Sequence, residues 1–279
     1  MLRILAAASV LLCLSSLASA QTQPAPTGVP SQATPAATPV AKKAVAKAKP
    51  AAKQPVATGN GPCRIGVISA LGDRFSVEKF GLTVFETEES HVPIEDWGLD
   101  DLVVARVRAA TGDDPTVRKI AYPKGAFEPY FNPKSRFLPD PRESLPAIVR
   151  SFTAATNCKR YLVVTRVKAQ LSGTLTTDGI GVWSRGIGSL ARRSRLHANF
   201  AINVLDGTTY EKLDRAFAGF GAQFALSKRL AEDSLGELDN SQFPEPAAAA
   251  ASSQTLREKA RALLAARLDG MLPDYLGQQ

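Results

Sequence analysis

Cys63 and Cys158 each stand at the head of an apolar, β-branched run, "CRIGVIS" in one case and "CKRYLVV" in the other. Runs of that length and composition read as strands buried in a sheet. If the two strands are parallel and close, both cysteines lie at the same end of the sheet, within reach of one disulfide. Closing so long a loop stabilises by roughly 4 to 5 kcal/mol in the chain-entropy description. Few other features of the chain limit its fold as much.

Such a bond needs an oxidising compartment, and the N-terminus points to one. Met1-Leu2-Arg3 gives a short positive region, Ile4 to Leu17 an apolar one, and Ala18-Ser19-Ala20 the small-x-small pattern cleaved before Gln21. Residues 1–20 are therefore expected to be a signal peptide and the protein to be periplasmic or secreted. Cys13, the third cysteine, follows Leu12 where a lipidation signal needs a small residue. No later stretch is apolar for long enough to span a bilayer, so no transmembrane helix is expected in the mature chain.

Residues 21–60 are Ala/Pro-rich and then Ala/Lys-rich ("AKKAVAKAKPAAKQP"), with no aromatic residue. That composition predicts a disordered linker. Arg3, Lys42, Lys43, Lys47, Lys49 and Lys53 supply six of the eight net positive charges, which leaves residues 61–279 at +2. A nucleic-acid-binding domain carries its basic patch on the fold itself, so no nucleic-acid partner is expected. A basic tail suits an anionic envelope surface instead.

Residues 61–279 are long enough for one α/β domain. "FSVEKFGLTVFE" (75–86) reads as a second strand. Trp97, Leu99, Leu102, Val103, Val107 and Ala110 recur at helical spacing, with Asp96 as N-cap and Gly112 as stop. "TVRKIAYP" is a third strand, and Ser144 caps a helix carrying Leu145, Ile148, Val149 and Phe152 on one face. Tyr161 to Leu171 is a central strand whose second half turns Arg166, Lys168 and Gln170 to water. In 196–205, Leu196, Ala198, Phe200, Ile202 and Val204 face inward, with His197, Asn199 and Asn203 on a polar face. Asp206-Gly207 turns a hairpin whose partner is 210–217, and 255–271 is an amphipathic helix. The order predicts a mixed β-sheet with helices packed on it and a C-terminal hairpin and helix.

"GIGVWSRGIGSLARRSR" (179–195) joins two of these strands. Its glycines make no dinucleotide fingerprint, since Ser184 stands where a third glycine is needed and a strand follows. Two readings remain. One is a flexible connection with solvated arginines. The other is a docking loop in which Trp183 and Ile187 meet an interface while Arg185, Arg192, Arg193 and Arg195 meet negative charge. No nucleophile elbow occurs, and His91 and His197 are the only imidazoles. Glu86, Glu88, Glu89, His91, Glu95, Asp96, Asp100 and Asp101 match no calcium or zinc spacing and read as a solvated loop leading into a helix. No catalytic, cofactor or metal residues are assigned.

The element order resembles small exported α/β domains of bacterial envelope proteins: the amino-terminal domain of the Tol translocation protein, the lipoprotein activators of penicillin-binding proteins, and the curli-secretion lipoprotein. "CRIGVIS", "LDDLVVARVRAA", "KRYLVVTRV" and "FAINVLDGTTYEKLDRAFA", after a Pro-rich exported tail, carry the likeness over most of 63–217 as topology. It implies a non-enzymatic binding or assembly role on an anionic envelope surface or envelope protein, and assigns no residues. The alternative is a hydrolase acting on a cell-wall or small-molecule substrate, and the absence of a concave pocket with converging polar groups would weigh against it.

Overall fold

The computed structural model describes residues 61–81, 87–135, 137, 140–172, 175–186, 192–213 and 235–276. The expected signal peptide and linker, Glu86, Ile187 and the far part of the 210–217 strand lie outside them.

The chain forms a mixed α/β fold around two sheets. In the first, β1 (Cys63–Ala70) runs parallel to β4 (Val117–Lys119) on one side and to β5 (Cys158–Arg166) on the other, and β10 (Phe200–Asp206) closes the β5 edge antiparallel. Cys63 and Cys158 are register partners and are disulfide-bonded, with Cα atoms 4.5 Å apart. The second sheet has the order β11 (Leu235–Leu238), β9 (Arg193–Ala198), β8 (Ile180–Arg185), β2 (Arg74–Phe80), β3 (Glu88–Pro93). A two-stranded ribbon, β6 (Lys168–Ser172) and β7 (Leu175–Asp178), is hydrogen-bonded as a third sheet of its own.

Alternate residues of β1 and β5 feed two separate cores. Ile65, Val67, Leu162 and Val164 pack with Val103 and Val107 of α1 (Leu99–Ala110), with Leu256, Leu264 and Leu268 of α4 (Gln254–Leu276), and with Phe75, Val77 and Val182 of the second sheet. Ile68, Tyr161 and Val163 face Leu145, Ile148 and Val149 of α3 (Leu145–Thr153). A short helix, α2 (Glu128–Phe131), precedes α3. Parallel strands buried on both faces require this two-sided cover.

Ser144 caps α3 as its sequence predicts, its hydroxyl accepting from the Ala147 amide at 3.4 Å. Asp96 does not cap α1. It lies in a 3-10 turn, and Gly98, at φ 65°, makes the junction. The Arg261 guanidinium of α4 donates to the Trp97 and Gly98 carbonyls at 2.6 and 3.0 Å, fixing the turn on which α1 begins.

The expected single sheet is replaced by two because the predicted long strands break. Tyr161 to Leu171 divides at Val167, and 196–205 divides at Asn199, where the chain leaves β9 in one sheet and enters β10 in the other. Three backbone hydrogen bonds close a ring there: Val167 N–H to Asn199 O at 3.2 Å, Asn199 N–H to Gly179 O at 2.8 Å, and Gly179 N–H to Val167 O at 3.1 Å. Gly179 sits at φ 60°, and a Cβ there would lie 3.2 Å from Arg166 Cβ. This crossing buries what the sequence places in water. Arg166 is 4% exposed, His197 0%, Asn199 4% and Asn203 9%, while Val204 is only half-buried.

The disulfide locks the register of the central strand pair. Replacing both cysteines (C63S with C158S) is expected to lower stability by about 4 kcal/mol, a fall in melting temperature of roughly 10 °C. Thermal melts of the two proteins decide it, and a fall of under about 3 °C would mean that the ladder alone holds the register.

Candidate functional site

At the carboxyl ends of β1, β4 and β5 the chain leaves a cleft of about 290 Å³. Open α/β sheets place ligands there, where successive connections turn to opposite faces. The start of α1 forms one wall, Tyr122 and the Lys124–Phe131 segment another, and Arg166 the end of β5.

Asp100 is the best-held acid in it. Its Oδ1 accepts from Ser69 Oγ at 2.6 Å and from the Leu71 and Gly72 amides at 3.1 and 3.2 Å. Burial raises its pKa, and these three donors pull the other way. Tyr122 donates to the Ser69 carbonyl at 2.7 Å, and burial pushes its hydroxyl pKa up. The Arg166 guanidinium meets Asp73 Oδ2 at 2.8 Å and lies 3.5 Å over the Phe131 ring. Its Nη2 is buried with no hydrogen-bond partner among the described residues. Burial lowers its pKa, yet a guanidinium remains a fixed cation at physiological pH. Lys119 pairs with Asp101, and Lys124 with Glu95 at 3.4 Å.

No histidine or cysteine lines the cleft among its described residues. No group of three or more His, Cys, Asp or Glu side chains is placed to hold a metal ion among the described residues. The arrangement presents mutually paired charges and aromatic walls to a small polar molecule.

None of the described residues singled out in "GIGVWSRGIGSLARRSR" lines this cleft. Ile180–Arg185 is strand β8 and pairs with β9, so most of the described part of the stretch is ladder and not loop. Trp183 is 7% exposed, with its ring 6.2 Å from that of Phe80. Arg192 donates to Ser184 Oγ at 2.7 Å, meets Glu245 at 2.9 Å and lies 4.5 Å over the Phe243 ring, so it fastens the hairpin to the C-terminal segment. Arg185 and Arg193 are exposed cross-strand partners, and Arg195 is half-buried. Ile187 lies outside the described residues.

A second polar cluster lies under the β2–β8–β9 sheet. Ser76 donates to the Asp178 carbonyl at 2.8 Å, the Asp178 amide donates to Glu78 Oε1 at 3.2 Å, and Arg74 pairs with the Asp178 carboxylate. Glu78 is 2% exposed, and burial pushes its pKa up to about 8. His197, fully buried, is driven down to about 4. Both are ionisable groups that the interior keeps neutral. His197 is therefore not the surface histidine its strand position predicts.

The cleft residues escape a pattern reading because Arg166 lies in the expected water-facing half of a strand and Asp100 in an acidic run. The available signal is position: "SALGD" and "TR" each directly follow an apolar strand run, where the carboxyl-end rule places a site.

No family model and no curated protein matches the chain. Among solved structures, protein XCC0632 from Xanthomonas campestris, of the bacterial DUF330 family, aligns at 11% identity with a TM-score of 0.32, covering 80% of this chain and 90% of that one. The hypothetical protein CT253 from Chlamydia trachomatis aligns at 11% identity with a TM-score of 0.21, covering 75% of this chain and 99% of that one. Both are weak structural neighbours, and neither assigns a family or a function.

Two measurements follow from the buried groups. Trp183→Ala is expected to destabilise by about 3 kcal/mol, as truncation of a core aromatic does; an unchanged denaturation midpoint would return Trp183 to the surface. Glu78 keeps in the folded state a proton that the unfolded chain loses between pH 4.5 and 8, so stability falls as pH rises through that window. His197 acts oppositely, but only between its folded value of about 4 and its unfolded 6.5. Above pH 6.5 the Glu78 slope is unopposed by His197, and on the order of 2 kcal/mol is lost by pH 8. Glu78→Gln is expected to flatten the profile of stability against pH over that range, and an identical slope in the variant contradicts the assignment.

Proposed function

We propose that the protein is an exported, non-catalytic binding module of the cell envelope, whose cleft at the carboxyl ends of β1, β4 and β5 takes a small polar ligand. The observation that carries this reading is the pairing of the lining charges: Asp100 with three donors, Arg166 with Asp73, Lys119 with Asp101. General acid–base chemistry needs a group placed to move a proton at a reacting atom. Groups held by one another instead offer fixed charges and hydrogen-bonding sites, the makings of recognition.

Export is supported by the Cys63–Cys158 disulfide and by the small-x-small pattern before Gln21. No helix among the described residues is long and apolar enough to cross a membrane. The likeness in element order to exported envelope domains favours an envelope partner. A hydrolase on a cell-wall or small-molecule substrate stays in view for one reason: Asp100, its pKa raised by burial, lines a concave cleft.

Co-sedimentation of the mature protein with isolated cell envelopes and with purified cell-wall sacculi tests the proposal. Reversing the cleft mouth (K119E with K124E) is expected to weaken retention about fivefold with melting unchanged, the size of effect that exposed charges produce. Retention equal to wild type would remove the cleft from the binding reaction. Soluble fragments released from the sacculi by wild type but not by Asp100→Asn would replace the binding module with a hydrolase.

A further inference from the structure

A second cavity, of about 300 Å³, opens at the opposite pole, where β1 and β5 begin. Its floor is apolar: Ile65, Leu162 and Val204 from the first sheet, and Tyr275 and Leu276 from the end of α4. Its rim is cationic, with Arg64, Lys159 and Arg160. No acidic side chain lines it among the described residues. Asp114 holds Arg64 at 3.2 Å from outside the cavity, while Lys159 is exposed.

An apolar recess ringed by cations is complementary to a molecule with a hydrocarbon chain and an anionic head. The volume is at the small end of ligand cavities, which suits one chain. The sequence adds a second cationic element, since five lysines, at 42, 43, 47, 49 and 53, precede Cys63 by 10 to 21 residues along the chain. Basic segments next to a hydrophobic anchor are the combination that holds proteins on anionic bilayers, where neither signal alone suffices.

We propose that this pole is a lipid site that takes one acyl chain of an anionic phospholipid, the chain lying against Val204 and Tyr275 and the phosphate against Lys159 and the rim arginines. The site is separate from the carboxyl-end cleft and stands or falls without it.

Calorimetric titration of the mature protein with lauroyl lysophosphatidylglycerol, kept below its micelle concentration, tests this. Lauroyl lysophosphatidylcholine and glycerol phosphate are the controls. The anionic lysolipid is expected to bind about tenfold more tightly than the zwitterionic one, and glycerol phosphate, lacking the chain, not measurably. Val204→Trp, which fills the recess, is expected to weaken lysolipid binding at least about tenfold. Lys159→Glu is expected to weaken the anionic lysolipid about fivefold and the zwitterionic one, whose phosphate is offset by its choline, by less. Should Val204→Trp melt well below wild type, a diazirine-bearing acyl chain on the unaltered protein takes its place, and its label must fall on peptides holding Val204 or Tyr275. Equal affinity for the two lysolipids, full binding by a well-folded Val204→Trp protein, or label confined to residues 41–53 would each overturn the proposal, the last by assigning the binding to the tail lysines.

Discussion

The parallel ladder between β1 and β5, from Cys63 opposite Cys158 to Ala70 opposite Thr165, is the contact on which the other elements depend. A parallel pair cannot be joined by a tight turn, so the chain between its strands must travel outside the sheet and return. Here that excursion contains α1 and β4 on one side of the journey and α3 on the other, and each helix covers one face of the strand pair. The disulfide fixes the amino ends of the ladder. The carboxyl ends, where the connections diverge, are left with the cleft. The position of the candidate site is thus a by-product of the way the two strands are joined.

The second sheet solves a different problem. Its apolar face adds Phe75, Val77, Val182 and Leu196 to the core that α1 and α4 share with β1 and β5. Its other face holds Ser76, Glu78 and His197, all under 3% exposed. Polar groups at such depth are tolerated only when bonded or neutral. The carbonyl and amide of Asp178 serve Ser76 and Glu78 in turn, and the Asp178 carboxylate, itself buried, is compensated by Arg74 and lies 4.0 Å from Arg166. One residue at the end of the β6–β7 ribbon therefore ties the underside of the second sheet to the end of the first.

Much of this was legible in the residue pattern, and the failures share one cause. The Ser144 cap and the amphipathic C-terminal helix depend on local chemistry or on a single face, and periodicity reports those directly; the disulfide, joining residues 95 apart, was legible because each cysteine heads a strand run. Whether the polar side of a strand meets water depends on what packs over it, and periodicity is silent there. His197 and Asn199 alternate correctly with Leu196 and Ala198, and are buried all the same because the chain changes sheets at Asn199. Trp183 was left between two readings for a related reason, since glycines on both sides of a strand resemble the glycines of a loop. The cleft shared this fate: Arg166 belongs to the site because β5 ends there, a fact of topology and not of spacing.

The ring of backbone bonds joining Val167, Gly179 and Asn199 has a meaning for how this architecture tolerates change. Gly179 donates to Val167, so the chain is already stitched together at the point where it departs into the β6–β7 ribbon and where it comes back. Everything between is a graft on a closed stem. Lengthening, shortening or replacing the outer part of the ribbon leaves the seam between the sheets intact, whereas Asp178 at the root is committed to both. A lineage carrying this fold has here a place to append new surface, one whose root is the junction of its two sheets.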